Sequence, residues 1–292
     1  MPLSSSFGLD PQIEAKFREI GYVFNPDIVP LSRSLFSDGF DTSLPEGGRR
    51  LDDVSYGEHE RHKLDLCLPA EGGKPIVIFV PGGGMTAGDK SFYSHIPAFF
   101  ARKGYVGVAI NYRLAPEFLF PSGAQDVARA IDWLVENADV HGGNVEKIFI
   151  VGQSAGAVHS ASTIFDRRFR AKHHDSIRAA VLMSGVYEIT PDHEGGNINL
   201  YFGNDAAELE DRSSVNHVHE SSVPVILTVA ELEPTFFGLS AAALMKVLTQ
   251  RDKHAPQLVW LKGHNHLSPV LNLGGPGDAL GNAIEEALRA YL

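Results

Sequence analysis

Apolar residues follow two rhythms along this chain. Runs at 76–80, 104–110, 147–151, 179–183, 225–229 and 258–261 are short, almost continuously apolar and rich in branched or large side chains. Longer stretches between them, such as 126–135 and 239–248, carry apolar residues at helical spacing. Only a strand buried on both sides can dispense with polar alternation, so this pattern predicts an α/β protein with a mostly parallel sheet covered by helices on both faces. Two earlier runs, 53–56 and 63–68, flank a turn at Gly57-Glu58. In the second, Leu64, Leu66 and Leu68 alternate with polar or small residues, as in a half-buried strand. With the six runs above, these bring the expected sheet to eight strands.

Upstream, Ile13, Phe17 and Ile20 give a short helical pattern ahead of Pro26 and Pro30. We read residues 1–50 as a helical arm and 51–292 as the main domain. Residues 187–214, with Pro191, Gly195, Gly196 and Gly203, show no clear period. They predict an insertion over the sheet edge that forms a small cap together with the arm. No repeat or low-complexity tract occurs.

Charge and cysteine content narrow the class. The 292 residues carry 25 basic and 36 acidic side chains, a net charge of −11. With no clustered Lys and Arg, nucleic acid is not an expected partner. No apolar run approaches the ~18–20 residues that span a bilayer. The opening stretch lacks a basic segment followed by an apolar one, so a cytoplasmic location is expected. The single cysteine, Cys67, excludes an internal disulfide framework and a cysteine-rich metal cluster, and its strand-like context predicts a small buried apolar group. The expected partner is a small-molecule substrate. A homodimer is compatible with this composition.

The strongest chemical signal is Gly152-Gln153-Ser154-Ala155-Gly156. As a string it is weak; its context discriminates, because it directly follows the apolar run 148–151 and precedes a helix-compatible stretch, 157–164. A serine on a sharp strand-to-helix turn exposes its hydroxyl and sets the following amides at a helix N-terminus, where partial positive charge favours an oxyanion. Such a serine needs a base oriented by a carboxylate, in chain order Ser, acid, His, each at the C-terminal end of a strand. After the run 225–229 come Glu231 and Glu233; after 258–261 come His264 and His266. Either member of each pair satisfies the pattern.

Gly82-Gly83-Gly84 follows the buried run 76–80 and lets backbone amides approach a ligand. Residues 83–91 nearly read as a phosphate loop, but Asp89 is inserted between Gly88 and Lys90, and a carboxylate there repels phosphate. The oxyanion reading fits Ser154 instead, with Gly83, Gly84 and the amide of Ala155 as donors. Thirteen histidines invite a metal: His217-x-His219 and His264-x-His266 have ligand-like spacing, and His173-His174 are adjacent. No H-E-x-x-H-type string completes such a site, so neither metal nor other cofactor is expected. His159 reads as a packed helix residue and Arg113 as a loop anchor. Aromatic residues expected near the C-terminal edge of the sheet divide between core and pocket: Phe36, Phe40, Phe92, Tyr93, Phe202, Phe236 and Phe237. Met85, beside the glycine loop, is expected to limit acyl size.

Taken together, these residues resemble the hormone-sensitive-lipase-like branch of the α/β-hydrolases and its neighbours, the BD-FAE-like carboxylesterases and kynurenine formamidases. The likeness rests on Pro81-Gly82-Gly83-Gly84 with Gly88-Asp89-Lys90, and on Asn111-Tyr112-Arg113-Leu114-Ala115-Pro116-Glu117. Phe120-Pro121, Asp126-Val127, Trp133, the 152–156 elbow and the late histidine complete it, from about Asp53 onward. The resemblance implies the α/β-hydrolase fold. It also implies Glu233, before Pro234, as the catalytic acid and His266, before Leu267-Ser268, as the base, with Glu231 and His264 as alternates. Pro81 stands where the family usually has His, so a loop-fixing hydrogen bond is lost or replaced, and the acid is Glu where the family mostly has Asp. The implied activity is hydrolysis of a carboxylic ester of a small, largely apolar substrate through an acyl-enzyme. Amide, lactone or N-formyl hydrolysis by the same residues is the first alternative, and a non-catalytic ligand-binding protein the second.

Overall fold

The computed structural model describes residues 9–36, 40–191, 197–275 and 278–292. Gly195 and Gly196 of the expected insertion lie outside them. Among the described residues, eight strands form one sheet: β1 (Arg49–Ser55), β2 (Lys63–Leu68), β3 (Pro75–Val80), β4 (Val106–Ile110), β5 (Asn144–Gln153), β6 (Ile177–Met183), β7 (Val225–Leu232) and β8 (Gln257–Asn265). Their order is β1-β2-β4-β3-β5-β6-β7-β8. β2 runs antiparallel to both neighbours, and β4 through β8 are parallel. The first strand begins four residues before the apolar signal at 53–56, because Arg49, Arg50 and Leu51 already pair with Leu68, Cys67 and Leu66 of β2 through backbone bonds that need no apolar side chain; the register shifts before Val54.

Among the described residues, eleven helices surround the sheet: α1 (Pro11–Ile20), α2 (Ile28–Ser34), α3 (His95–Arg102), α4 (Ser122–Glu136), α5 (Ala138–His141), α6 (Ala155–Phe165), α7 (Ile198–Phe202), α8 (Ala206–Arg212), α9 (Thr235–Asp252), α10 (Ser268–Asn272) and α11 (Ala279–Arg289). Continuous apolar strands supply two cores at once. In β3, Ile76, Ile78 and Val80 join the cluster with Val127, Ile131, Ile164 and Leu244 from α4, α6 and α9. Val77 and Phe79 point the other way, to Ile96 and Phe100 of α3 and Ile284 of α11. Cys67 is buried, packed with Ala98 and Ala101. Among the described residues, no helix is long and apolar enough to cross a membrane.

The arm is built from local signals. Asp10 caps α1 by accepting from the Gln12 and Ile13 amides, Pro11 starts it, and Gly21 at φ 75° ends it. Phe17 and Phe36 then pack with Leu232, Leu267 and Leu271, which flank the ends of β7 and β8. Arg18 pairs with Glu231 at 3.0 Å, and Ser32 accepts a 2.9 Å bond from Asn265. The described stretch 197–214 contains α7 and α8, each too short to show a helical period in sequence; Asp205 caps the second.

Candidate active site

Three strand ends converge. Ser154 sits between β5 and α6 at φ 53°, ψ −121°, a conformation that a non-glycine residue adopts only under constraint. The constraint is visible on both sides. A Cβ at Gly156 would overlap Val80 O and lie 2.7 Å from Pro81 O, so α6 reaches the end of β3 only with glycine there. The Ser154 amide donates to Met183 O at 2.8 Å, tying the turn to β6.

Ser154 Oγ lies 2.9 Å from His266 Nε2, and His266 Nδ1 lies 2.9 Å from Glu233 Oε2. The other oxygen, Oε1, accepts from the Ala230 amide at 3.0 Å and from Ser184 Oγ at 3.1 Å. All three side chains are buried. A carboxylate with both oxygens occupied by donors is fixed in orientation and therefore fixes the imidazole. The histidine loop is held by its neighbours: Asn265 Oδ1 accepts from the Leu267 and Ser268 amides, and Gln153 Nε2 donates to His266 O at 3.2 Å.

The two alternates do other work. Glu231 accepts from the Gly263 amide at 2.6 Å and from Arg18, clasping β8 and α1 to β7. Burial works to raise its carboxyl, but the bonds from Arg18 and Gly263 outweigh it and hold it below the ordinary range. His264 is fully buried and bonds Ser268 Oγ through Nδ1 at 2.9 Å.

The glycine loop lies against the serine turn: a Cβ at Gly82 would stand 3.0 Å from Ser154 Cβ. Gly83, Gly84 and Met85 take φ values of 151°, 58° and 65° in succession. Gly83 O accepts from the Ala87 amide at 2.9 Å, and Met85 O from Ala115 at 2.9 Å. Ala155 opens α6, so its amide has no partner within the helix. The loop's first residue is fixed without a histidine side chain, since Tyr112 Oη donates to Pro81 O at 2.8 Å. Lys90 Nζ lies 2.7 Å from both Asp53 and Asp65, while Asp89 accepts from Asn111 at 2.7 Å; both belong to the scaffold behind the loop. Arg113 is engaged by the fully buried Asp126, at 2.7 Å from Nη2, and Asp126 also holds His62 at 3.0 Å.

The aromatic candidates separate. Phe237 stacks on His266 with ring centroids 4.1 Å apart, and Phe236 packs against Phe237. Tyr93 packs under the sheet against Phe79, and Phe202 is fully buried beside Phe120 and Tyr201. Phe92 is half exposed beneath the Arg33 guanidinium. Phe36 belongs to the arm's own cluster, and Phe40 lies on His95. Met85 is buried in a cluster with Ala155, Val158, Ile189 and Phe237. Sequence reasoning missed Phe24, whose ring centre is 4.3 Å from that of His266. Its signal was slight, one of two aromatics, with Tyr22, between the helical pattern and Pro26. His159 packs between Tyr112 and Tyr201, and burial pushes it down to about 4.

Among the described residues, one group has metal-ligand geometry: Asp166, His217 and Glu220 place ligand atoms within 4.8 Å of one another. Arg168 already stands 2.6 Å from Asp166, so a guanidinium supplies the positive charge there. It lies apart from the serine site.

Comparison with known proteins extends this picture. The BD-FAE family model matches residues 64–235. The chain is 36% identical over 241 residues to the probable carboxylic ester hydrolase LipM of Mycobacterium tuberculosis, covering 78% of this chain and 51% of that protein. It is 27% identical over 216 residues to the probable isoprenylcysteine alpha-carbonyl methylesterase ICMEL2 of Arabidopsis thaliana, covering 72% and 48%. The chain thus spans about half the length of the curated relatives it matches. Among solved structures, esterase B from Lactobacillus rhamnosis superposes with a TM-score of 0.74 at 18% identity, covering 96% of this chain and 94% of that one. An esterase from Pyrobaculum calidifontis gives 0.70 at 20%, covering 97% and 98%. These likenesses establish the α/β-hydrolase fold.

Proposed function

The chain belongs to the BD-FAE family, and from that premise we propose that it hydrolyses a carboxylic ester of a small, largely apolar substrate through an acyl-enzyme. The observation that carries this reading is the unbroken hydrogen-bonded chain from Ser154 through His266 to Glu233, at 2.9 Å per link. Ser154 Oγ adds to the ester carbonyl carbon while its proton passes to His266 Nε2. Glu233 holds the imidazole in the tautomer with a free Nε2 lone pair and steadies the imidazolium once it forms. The carbonyl oxygen, now an oxyanion, is received by the amides of Gly83, Gly84 and Ala155, each such donor worth roughly 2.7–4 kcal/mol. His266 then protonates the leaving alcohol oxygen, and water repeats the sequence on the acyl-serine. The buried cluster around Ala155, with Met85, Val158 and Ile189, favours an uncharged acyl group. Phe24 of the arm, with Ile189, Ile198 and Phe202, packs into the same cluster and forms the cap over that acyl group.

Ser154→Ala tests the reading. Turnover of p-nitrophenyl acetate is expected to fall to background while the melting temperature stays within a few degrees of the parent. A fluorophosphonate probe is expected to label Ser154 in the native protein. Unchanged turnover by the alanine variant refutes the assignment.

A further inference from the structure

The short stretch that supplies the catalytic acid also supplies an aromatic ring to the base. Glu233 meets the imidazole at its edge, and four residues later Phe237, buried in the first turn of α9, covers its face with the two ring planes 20° apart. Phe24 approaches from the arm with its plane tilted 56°. The two phenyl centres are 6.4 Å apart. With 4.1 and 4.3 Å to the imidazole centre, the three separations set the phenyls at about a right angle around His266 rather than on opposite faces. His266 therefore has one stacked face, one tilted wall, and both nitrogens occupied, by Glu233 and Ser154.

We propose that Phe237 is a positioning residue of this site, its ring face stabilising the imidazolium that His266 becomes when it takes the Ser154 proton. The inference rests on the hydrolase reading above. An aromatic face carries negative electrostatic potential and attracts a cation within ~6 Å, more strongly when water is excluded. Neutral imidazole gains only stacking from that face; the imidazolium gains the electrostatic attraction as well. The contact is therefore stronger in the transition state than in the resting enzyme, and only such a difference accelerates the step. No atom is exchanged with Phe237: the proton leaves Ser154 Oγ for His266 Nε2 as Oγ bonds the carbonyl carbon, and it later goes to the leaving oxygen.

The test replaces Phe237 with 4-fluoro-, 3,5-difluoro- and 3,4,5-trifluorophenylalanine, which nearly preserve shape while weakening the ring quadrupole in steps. The readouts are kcat for p-nitrophenyl acetate and the second-order rate of fluorophosphonate inactivation. Both are expected to fall stepwise, approaching the roughly 3- to 30-fold loss expected for Phe237→Leu, with KM little changed. A packing role alone leaves the fluorinated series flat. The same series at Phe24 is expected to fall less, because its ring is tilted. A flat series at Phe237 in a protein whose parent labels at Ser154 overturns the inference alone, as does a steeper fall at Phe24. A parent protein that forms no adduct overturns the hydrolase reading, and this inference with it.

Discussion

Replacing Glu233 by Gln changes one atom, and the surrounding donors decide the result. Oε1 accepts from the Ala230 amide and from Ser184. The backbone N–H can only donate, so the carbonyl of Gln stays on that side and its NH2 turns toward His266 Nδ1. The imidazole must then present a lone pair at Nδ1 and carry its proton at Nε2, facing Ser154, where it cannot act as a base. Recovering the active tautomer requires flipping the amide, which leaves the Ala230 donor unsatisfied at about 1–3 kcal/mol. The carboxylate charge that steadies the imidazolium is lost as well, about 4 kcal/mol at the effective dielectric typical of protein sites. Together these imply a fall in kcat of roughly 10⁴–10⁵-fold, with little change in melting temperature because shape and volume are kept. Glu231→Gln is the control. It weakens a partly exposed clasp to Arg18 of the kind worth about 0–1 kcal/mol and is expected to leave kcat within about threefold. If Glu233→Gln keeps more than a tenth of the parent kcat/KM for p-nitrophenyl acetate, or Glu231→Gln falls as far, the assignment of the acid is wrong.

Burial pushes both His159 and His95 down to about 4, so below about pH 6.5 the unfolded chain takes up protons that the folded chain refuses. Stability is therefore fully present above that pH and declines as pH falls to 4, by about 3 kcal/mol per histidine; urea midpoints across pH 7 to 4 check it, with a shallower decline expected in His159→Leu. Gly156→Val drives side-chain atoms into the Val80 and Pro81 carbonyls and is expected to cost about 3 kcal/mol or more, read as a lowered urea midpoint or loss of soluble protein. Tyr112→Phe removes the bond to Pro81 O; a loss of about 1 kcal/mol of stability with a several-fold lower kcat is expected, and an unchanged kcat would show that the loop does not depend on it.

The sheet was legible because strands buried on both faces, such as β3 and β5, carry their pattern in consecutive residues. The ambiguity within Glu231/Glu233 and within His264/His266 has a single cause. Residues two apart on a strand share a face, so parity cannot separate them. In both pairs the member inside its strand, Glu231 in β7 or His264 in β8, is held in the sheet, and the one just past the strand end turns to the serine turn. Phe24 was hidden for a different reason: its contact to His266 joins positions 242 apart, and no local period records it. Tyr112 lay within the string that carried the family resemblance, yet its hydrogen bond to Pro81 replaces a missing side chain through a backbone carbonyl, which sequence does not display.

The clasp between the arm and the ends of β7 and β8 has a consequence for synthesis. Arg18 waits for Glu231, 213 positions later, and Ser32 for Asn265, 233 positions later. At translation rates of 5–20 residues per second the arm spends roughly 10–45 seconds without its docking partners, its phenylalanines open to water and to chaperones. A ribosome stalled before β8 would hold a nascent chain with a formed elbow but no His266 beside Ser154 and no Phe24 against it, so the proposed site is completed only after β8 and the loop that follows it have been made.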